Sequence, residues 1–82
     1  MNQNVTKLIG RLEMFTNGDN VSVQWAKDTE SLLDQFDGSD EVLEELQDYL
    51  SLYRPEGGDN LYNRQQMDHF CRRIIPILKG RT

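Results

Sequence analysis

The sequence predicts an all-α protein, a compact antiparallel four-helix bundle, and three observations predict it. Four segments repeat apolar residues at helical spacing, none sustains an alternation of period two, and short connections join the segments. The chain has 82 residues, so we expect a single helical domain over 1–82. A chain of this size buries only roughly 60% of its unfolded surface, which makes a small core without room for a deep substrate cavity.

The first segment carries Val5, Leu8, Ile9, Leu12 and Phe15 on one face, with Asn4 expected as its N-cap and Gly18 just past its end. The second carries Ala26, Thr29, Leu32, Leu33 and Phe36, joined by Trp25. Ser22 is placed to cap it, Val21 and Ala26 to staple its entry, and Gly38 to close it. The third carries Val42, Leu43, Leu46, Tyr49, Leu50 and Tyr53. Ser39 or Asp40 caps it, and Asp40, Glu41 and Glu44 suit the positive end of its dipole.

The stretch Arg54-Pro55-Glu56-Gly57-Gly58-Asp59-Asn60 cannot continue a helix and is the longest loop. The fourth segment carries Met67, Phe70, Cys71, Ile74, Ile77 and Leu78. Asn63 and Gln66 fit a capping box, with Tyr62 and Met67 as its staple. Pro76 predicts a kink or an end near Ile75. The apolar set Ile74, Ile75, Ile77 and Leu78 spans the widest arc of the four, which marks this helix as the most buried.

Composition narrows the function. With 37% apolar and 28% charged residues the chain is that of an ordinary folded, soluble domain. No apolar run reaches the ~18 residues that cross a bilayer, and residues 1–10 lack the apolar stretch of a signal peptide. The single cysteine, Cys71, cannot form an internal disulfide, so the expectation is a reduced, cytoplasmic protein. A net charge of −5 argues against direct binding to nucleic acid or an anionic membrane and for a basic protein partner.

The charge is also segregated. From Asp28 to Tyr53 there are nine acidic residues and no Lys or Arg, while the rest of the chain carries a net +4. On the third helix Asp40, Glu41, Glu44, Glu45 and Asp48 form one stripe opposite the apolar face. Like charges at i, i+4 cost roughly 0.2–0.5 kcal/mol per pair in an isolated helix. Two readings of that tolerated repulsion stay open: a partner surface, or a solvated face that keeps the protein in solution. Arg64, Arg72, Arg73, Lys79 and Arg81 gather in the last segment, where they are expected to pair with a helix C-terminus and with the acidic helices.

Signatures of chemistry are weak. His69, the one histidine, has Asp68 and Cys71 near it in sequence, but neighbours one or two apart on a helix do not face each other. We expect no catalytic residue, no metal site and no cofactor: one Cys and one His do not make a zinc site, and Gly57-Gly58 lacks the Lys-Ser or Lys-Thr of a phosphate loop. An acyl-carrier-like reading places phosphopantetheine on Ser39, although Gly38 and Asp40 depart from the Asp-Ser-Leu pattern of those carriers. A third reading is a helical adaptor or structural subunit. Trp25, Tyr49, Tyr53 and Tyr62 are core or interface aromatics, and tyrosines at the rim of an acidic stripe suit an interface.

The chain resembles the small colicin-like immunity proteins and those of contact-dependent inhibition systems. The resemblance is carried by Trp25-Ala26 with Leu32-Leu33 and Phe36. It continues through Leu46-Gln47-Asp48-Tyr49-Leu50-Ser51-Leu52-Tyr53-Arg54-Pro55, then an acidic Pro-containing loop and a final amphipathic helix from Asn63. The resemblance implies a partner: the basic nuclease domain of a cognate toxin, a ribonuclease acting on tRNA. It implies an acidic face standing in for RNA phosphates. Asp34, Asp37, Asp40, Glu41, Glu44, Glu45 and Asp48 are the candidate contacts, with Tyr49 and Tyr53 beside them. Free of its partner, such a protein is expected to be a monomer or weak dimer.

Overall fold

A computed structural model describes residues 3–36 and 40–81. They form four helices in order: α1 (Gln3–Thr16), α2 (Val23–Leu33), α3 (Glu41–Leu52) and α4 (Arg64–Lys79). The all-α four-helix architecture is the one the periodicity predicts. The main packing pairs are α1 with α4 and α2 with α3, and α2 leans on α1.

Helix boundaries follow local chemistry where the caps are strong. The Ser22 hydroxyl accepts from the Trp25 amide at 3.1 Å and opens α2. Asn63 and Gln66 form the complete reciprocal capping box at the start of α4. Two expected ends differ. Helix α1 already runs from Gln3, so Asn4 lies inside it and is not its N-cap. Helix α2 stops at Leu33 with Asp34 as its C-cap, ahead of Phe36. Gly38, the expected closing glycine, lies outside the described residues, as does Ser39.

Pro76 does not end α4 or confine it to the residues before Ile75. The helix continues to Lys79 and is capped by Gly80. The proline sits on the exposed side. The one hydrogen bond it removes would have gone to the Arg72 carbonyl, on a surface residue where water replaces the lost donor. Nor is α4 singled out by burial. It buries Met67, Phe70, Cys71, Ile74 and Leu78, and α1 buries an equal set in Val5, Leu8, Ile9, Leu12 and Phe15. Ile74 and Leu78 share the inward face at i, i+4, whereas Ile75 and Ile77 flank it on opposite sides. Ile77 is 46% exposed.

The centre of the core is aromatic. Trp25 from α2 lies 4.6 Å from Phe15 of α1, and both rings meet Tyr53, which follows α3, at 5.3 and 6.3 Å in edge-on geometry. The polar handles are satisfied. The Trp25 indole donates to the Arg11 carbonyl at 2.8 Å, and the buried Thr29 hydroxyl donates to the Trp25 carbonyl at 2.8 Å.

Helices α3 and α4 run antiparallel, and four pairs measure their register. Tyr53 bridges Tyr62, Tyr49 stacks on Phe70, Glu45 meets Arg73, and Asp40 meets Arg81. The first rung is backbone. The Tyr62 amide donates to the Leu52 carbonyl at 3.0 Å, and the Arg54 amide donates to the Tyr62 carbonyl at 2.9 Å. Between the rungs the chain turns at Gly57 (φ 76°) and Gly58 (φ 144°), positions where a side chain would be strained. A Cβ at Gly58 would also approach Leu61 to 3.0 Å.

Candidate partner-binding surface

Helix α3 begins where Asp40 caps it. The carboxylate accepts from the Val42 amide at 2.9 Å and the Leu43 amide at 3.4 Å. The same carboxylate receives Arg81 at 2.5 Å. Burial raises the affinity of this carboxyl for its proton. The hydrogen bond from Arg81, those from the Leu43 and Val42 amides and the positive charge of Arg81 outweigh that effect, and the pKa falls below the ordinary 3.8.

The acidic candidates divide by what they touch. Glu45 pairs with Arg73, whose guanidinium carbon also lies 5.1 Å over the Phe70 ring. Asp28, also in the acidic run, pairs with Arg11 at 3.7 Å and accepts from Gln24 at 2.9 Å. Glu41, Glu44 and Asp48 project from α3 into solvent, and no ion pair reaches them among the described residues. Asp34 is exposed at the end of α2. Asp37 lies outside the described residues.

The basic residues of α4 therefore account for part of the charge segregation. Arg73 and Arg81 neutralise the acids of α3 that face α4. Lys79 pairs with Glu13 at 3.2 Å, and Arg72 pairs with Asp68 at 2.9 Å while donating to the Thr16 carbonyl at the C-terminal end of α1. What remains on α3 is one outward row: Glu41, Glu44 and Asp48.

The two candidate tyrosines separate completely. Tyr53 is fully buried, and its hydroxyl donates to the Val21 carbonyl at 2.6 Å, in the connection between α1 and α2. It does not reach solvent or the Pro55–Asn60 loop, and it presents no surface to a partner. Burial pushes its phenol pKa up. Tyr49 is half-buried. Its ring is stacked between Phe70 at 3.9 Å and Tyr62 at 4.0 Å. Tyr62 thus takes the surface position that sequence reasoning gave to Tyr53. The sequence names Tyr62 among the core or interface aromatics, but periodicity could not place it beside Tyr49, because it lies outside any helix and reaches α3 through the loop and the bridge.

Beside this stack is an open groove of about 480 Å³, lined by Tyr49, Tyr62, Gln65, Gln66, His69 and the ion-paired Asp68 and Arg72. His69 is exposed, whereas Cys71 is fully buried with its thiol pushed up to about 12, first by burial and then by the charge of Asp68. That removes Cys71 as a nucleophile at neutral pH.

No family model, curated protein sequence or solved structure matches the chain. No described helix is long and apolar enough to cross a membrane.

Proposed function

We propose that this protein is an immunity-type inhibitor that binds a cationic toxin domain, a ribonuclease acting on tRNA, and covers its active site. The observation that carries this reading is the outward row Glu41, Glu44 and Asp48. These carboxylates repel one another along one helix, stand in solvent, and pair with no cation among the described residues. Arginines answer the neighbouring acids Glu45 and Asp40, whereas no ion pair among the described residues answers this row. A basic partner would relieve the repulsion, and the field of the row would steer its approach. The resemblance to the small immunity proteins adds the kind of partner, and the row takes the place of substrate phosphates.

The adaptor reading needs an apolar face, and among the described residues the exposed large hydrophobics do not make one. Leu52 at the end of α3 and Ile77 near the end of α4 lie at opposite ends of an antiparallel pair. Isolated apolar side chains of this kind are ordinary on a protein surface.

The test is a triple reversal, Glu41→Lys, Glu44→Lys and Asp48→Lys, with binding to the basic nuclease recovered with the wild-type chain from its host. The variant should fold and lose affinity by orders of magnitude at low salt. Wild-type affinity should itself fall as salt rises. Unchanged affinity of the triple variant at low and moderate salt would overturn the reading.

A further inference from the structure

We infer that the groove beside Tyr49 and Tyr62 is a seat for one arginine side chain of the basic partner. This rests on the reading that the partner is a cationic protein, and goes further by naming the residue type and the place that receives it.

Three rings form a continuous stack: Tyr62 from the loop, Tyr49 from α3 and Phe70 from α4. Their centroids lie 4.0 and 3.9 Å apart and their planes within 12° and 7° of parallel. The Phe70 end of this stack already carries a guanidinium. Tyr49 covers one face of Phe70, and Arg73 lies over the ring with its charge balanced by Glu45. The other end, Tyr62, is half-buried like Tyr49 and borders the groove. A planar cation fits there for the same reason that Arg73 fits at Phe70: aromatic faces attract a guanidinium, and a guanidinium stacks where an ammonium cannot.

The stack is also prepared for binding. Tyr49 is held on both faces, and Tyr62 is held by one face and by the backbone bridge to Tyr53, so little side-chain freedom is left to lose on contact. Arg72 does not fill the seat, because its side chain is engaged by Asp68 and the Thr16 carbonyl.

The isotope-labelled protein can be titrated with oligo-arginine and oligo-lysine peptides of equal length, followed by NMR. Oligo-arginine should shift the ring signals of Tyr49 and Tyr62 together with the amides of α3. Oligo-lysine should shift α3 alone. Tyr62→Leu should weaken the arginine peptide about threefold and leave the lysine peptide unchanged. Tyr62→Phe, which keeps the ring face, should retain the preference for arginine. Shifts confined to α3 with both peptides, or an arginine preference that survives Tyr62→Leu, would overturn the seat while leaving the acidic-row reading in place. No shift with either peptide would overturn both.

Discussion

The Tyr53 hydroxyl donates to the Val21 carbonyl at 2.6 Å across 32 positions of sequence, and so ties the end of α3 to the connection that precedes α2. The tyrosine is fully buried and the acceptor belongs to a half-buried residue, so removing the donor leaves the Val21 carbonyl without its protein partner. Tyr53→Phe should therefore cost about 1 kcal/mol and lower the melting temperature by about 4–8 °C, with helix content unchanged before the transition. Thermal unfolding followed by circular dichroism would measure it. No loss would mean that water replaces the hydroxyl.

Gly10 lies inside α1 on its exposed side, and a Cβ built there meets no atom within 4 Å. Its backbone is helical and needs no glycine. Gly10→Ala should raise stability by about 1 kcal/mol, read as a higher urea midpoint at constant slope. A decrease would show that Gly10 does not hold ordinary helical backbone geometry in a free surface position.

Asp40 joins an N-cap to an ion pair, and variants separate the two. Asp40→Asn keeps a capping oxygen and loses the charge opposite Arg81, whereas Asp40→Ala loses both, at a cost of about 0.5–2 kcal/mol for the cap. The folded-state pKa lies below 3.8, so the carboxylate's contribution is full above that value and is lost as pH falls through the depressed folded value. The stability gap between wild type and Asp40→Asn should thus be constant at neutral pH and close only in strong acid. A gap that closes between pH 6 and 5 would contradict the assignment.

Cys71 should be silent toward a thiol reagent in the native state at neutral pH and react fully in urea. Its thiol holds its proton to about 12 in the fold against an ordinary 9.0. Stability from this group is complete below 9 and declines as pH rises from there toward 12, because the unfolded chain ionises first. Rapid native-state labelling would reveal local opening of α4.

Much of the fold was legible because its signals are local. The Asn63–Gln66 capping box, the Ser22 and Asp40 caps and the turn at Gly57-Gly58 each depend on a few consecutive residues. The inward faces follow from spacing along one helix. Errors came where one local signal met another. Asn4 was a plausible cap that a helix starting at Gln3 overran. Pro76 predicts a kink or an end near Ile75, yet α4 continues to Lys79, because the carbonyl left without its donor belongs to an exposed residue and the inward face on both sides of the proline is buried.

The candidate surface was legible only in part. The acidic run and the α3 stripe are properties of the sequence. That Arg73 answers Glu45 and Arg81 answers Asp40 is not, because those partners are 28 and 41 positions apart. The same holds for the tyrosines. Tyr53 and Tyr62 flank the loop symmetrically in sequence, yet one enters the aromatic core and the other joins the surface stack.

By itself the sequence determined where helices form, which face of each is apolar, and that negative charge is concentrated on the middle of the chain. These follow from backbone propensity, capping and a 3.6-residue period, all of which act within a few residues. The tertiary structure decided which of the described carboxylates pair with a cation of the described chain, and which tyrosines meet solvent. Those outcomes depend on the register of α3 against α4, and packing sets that register through contacts between distant residues.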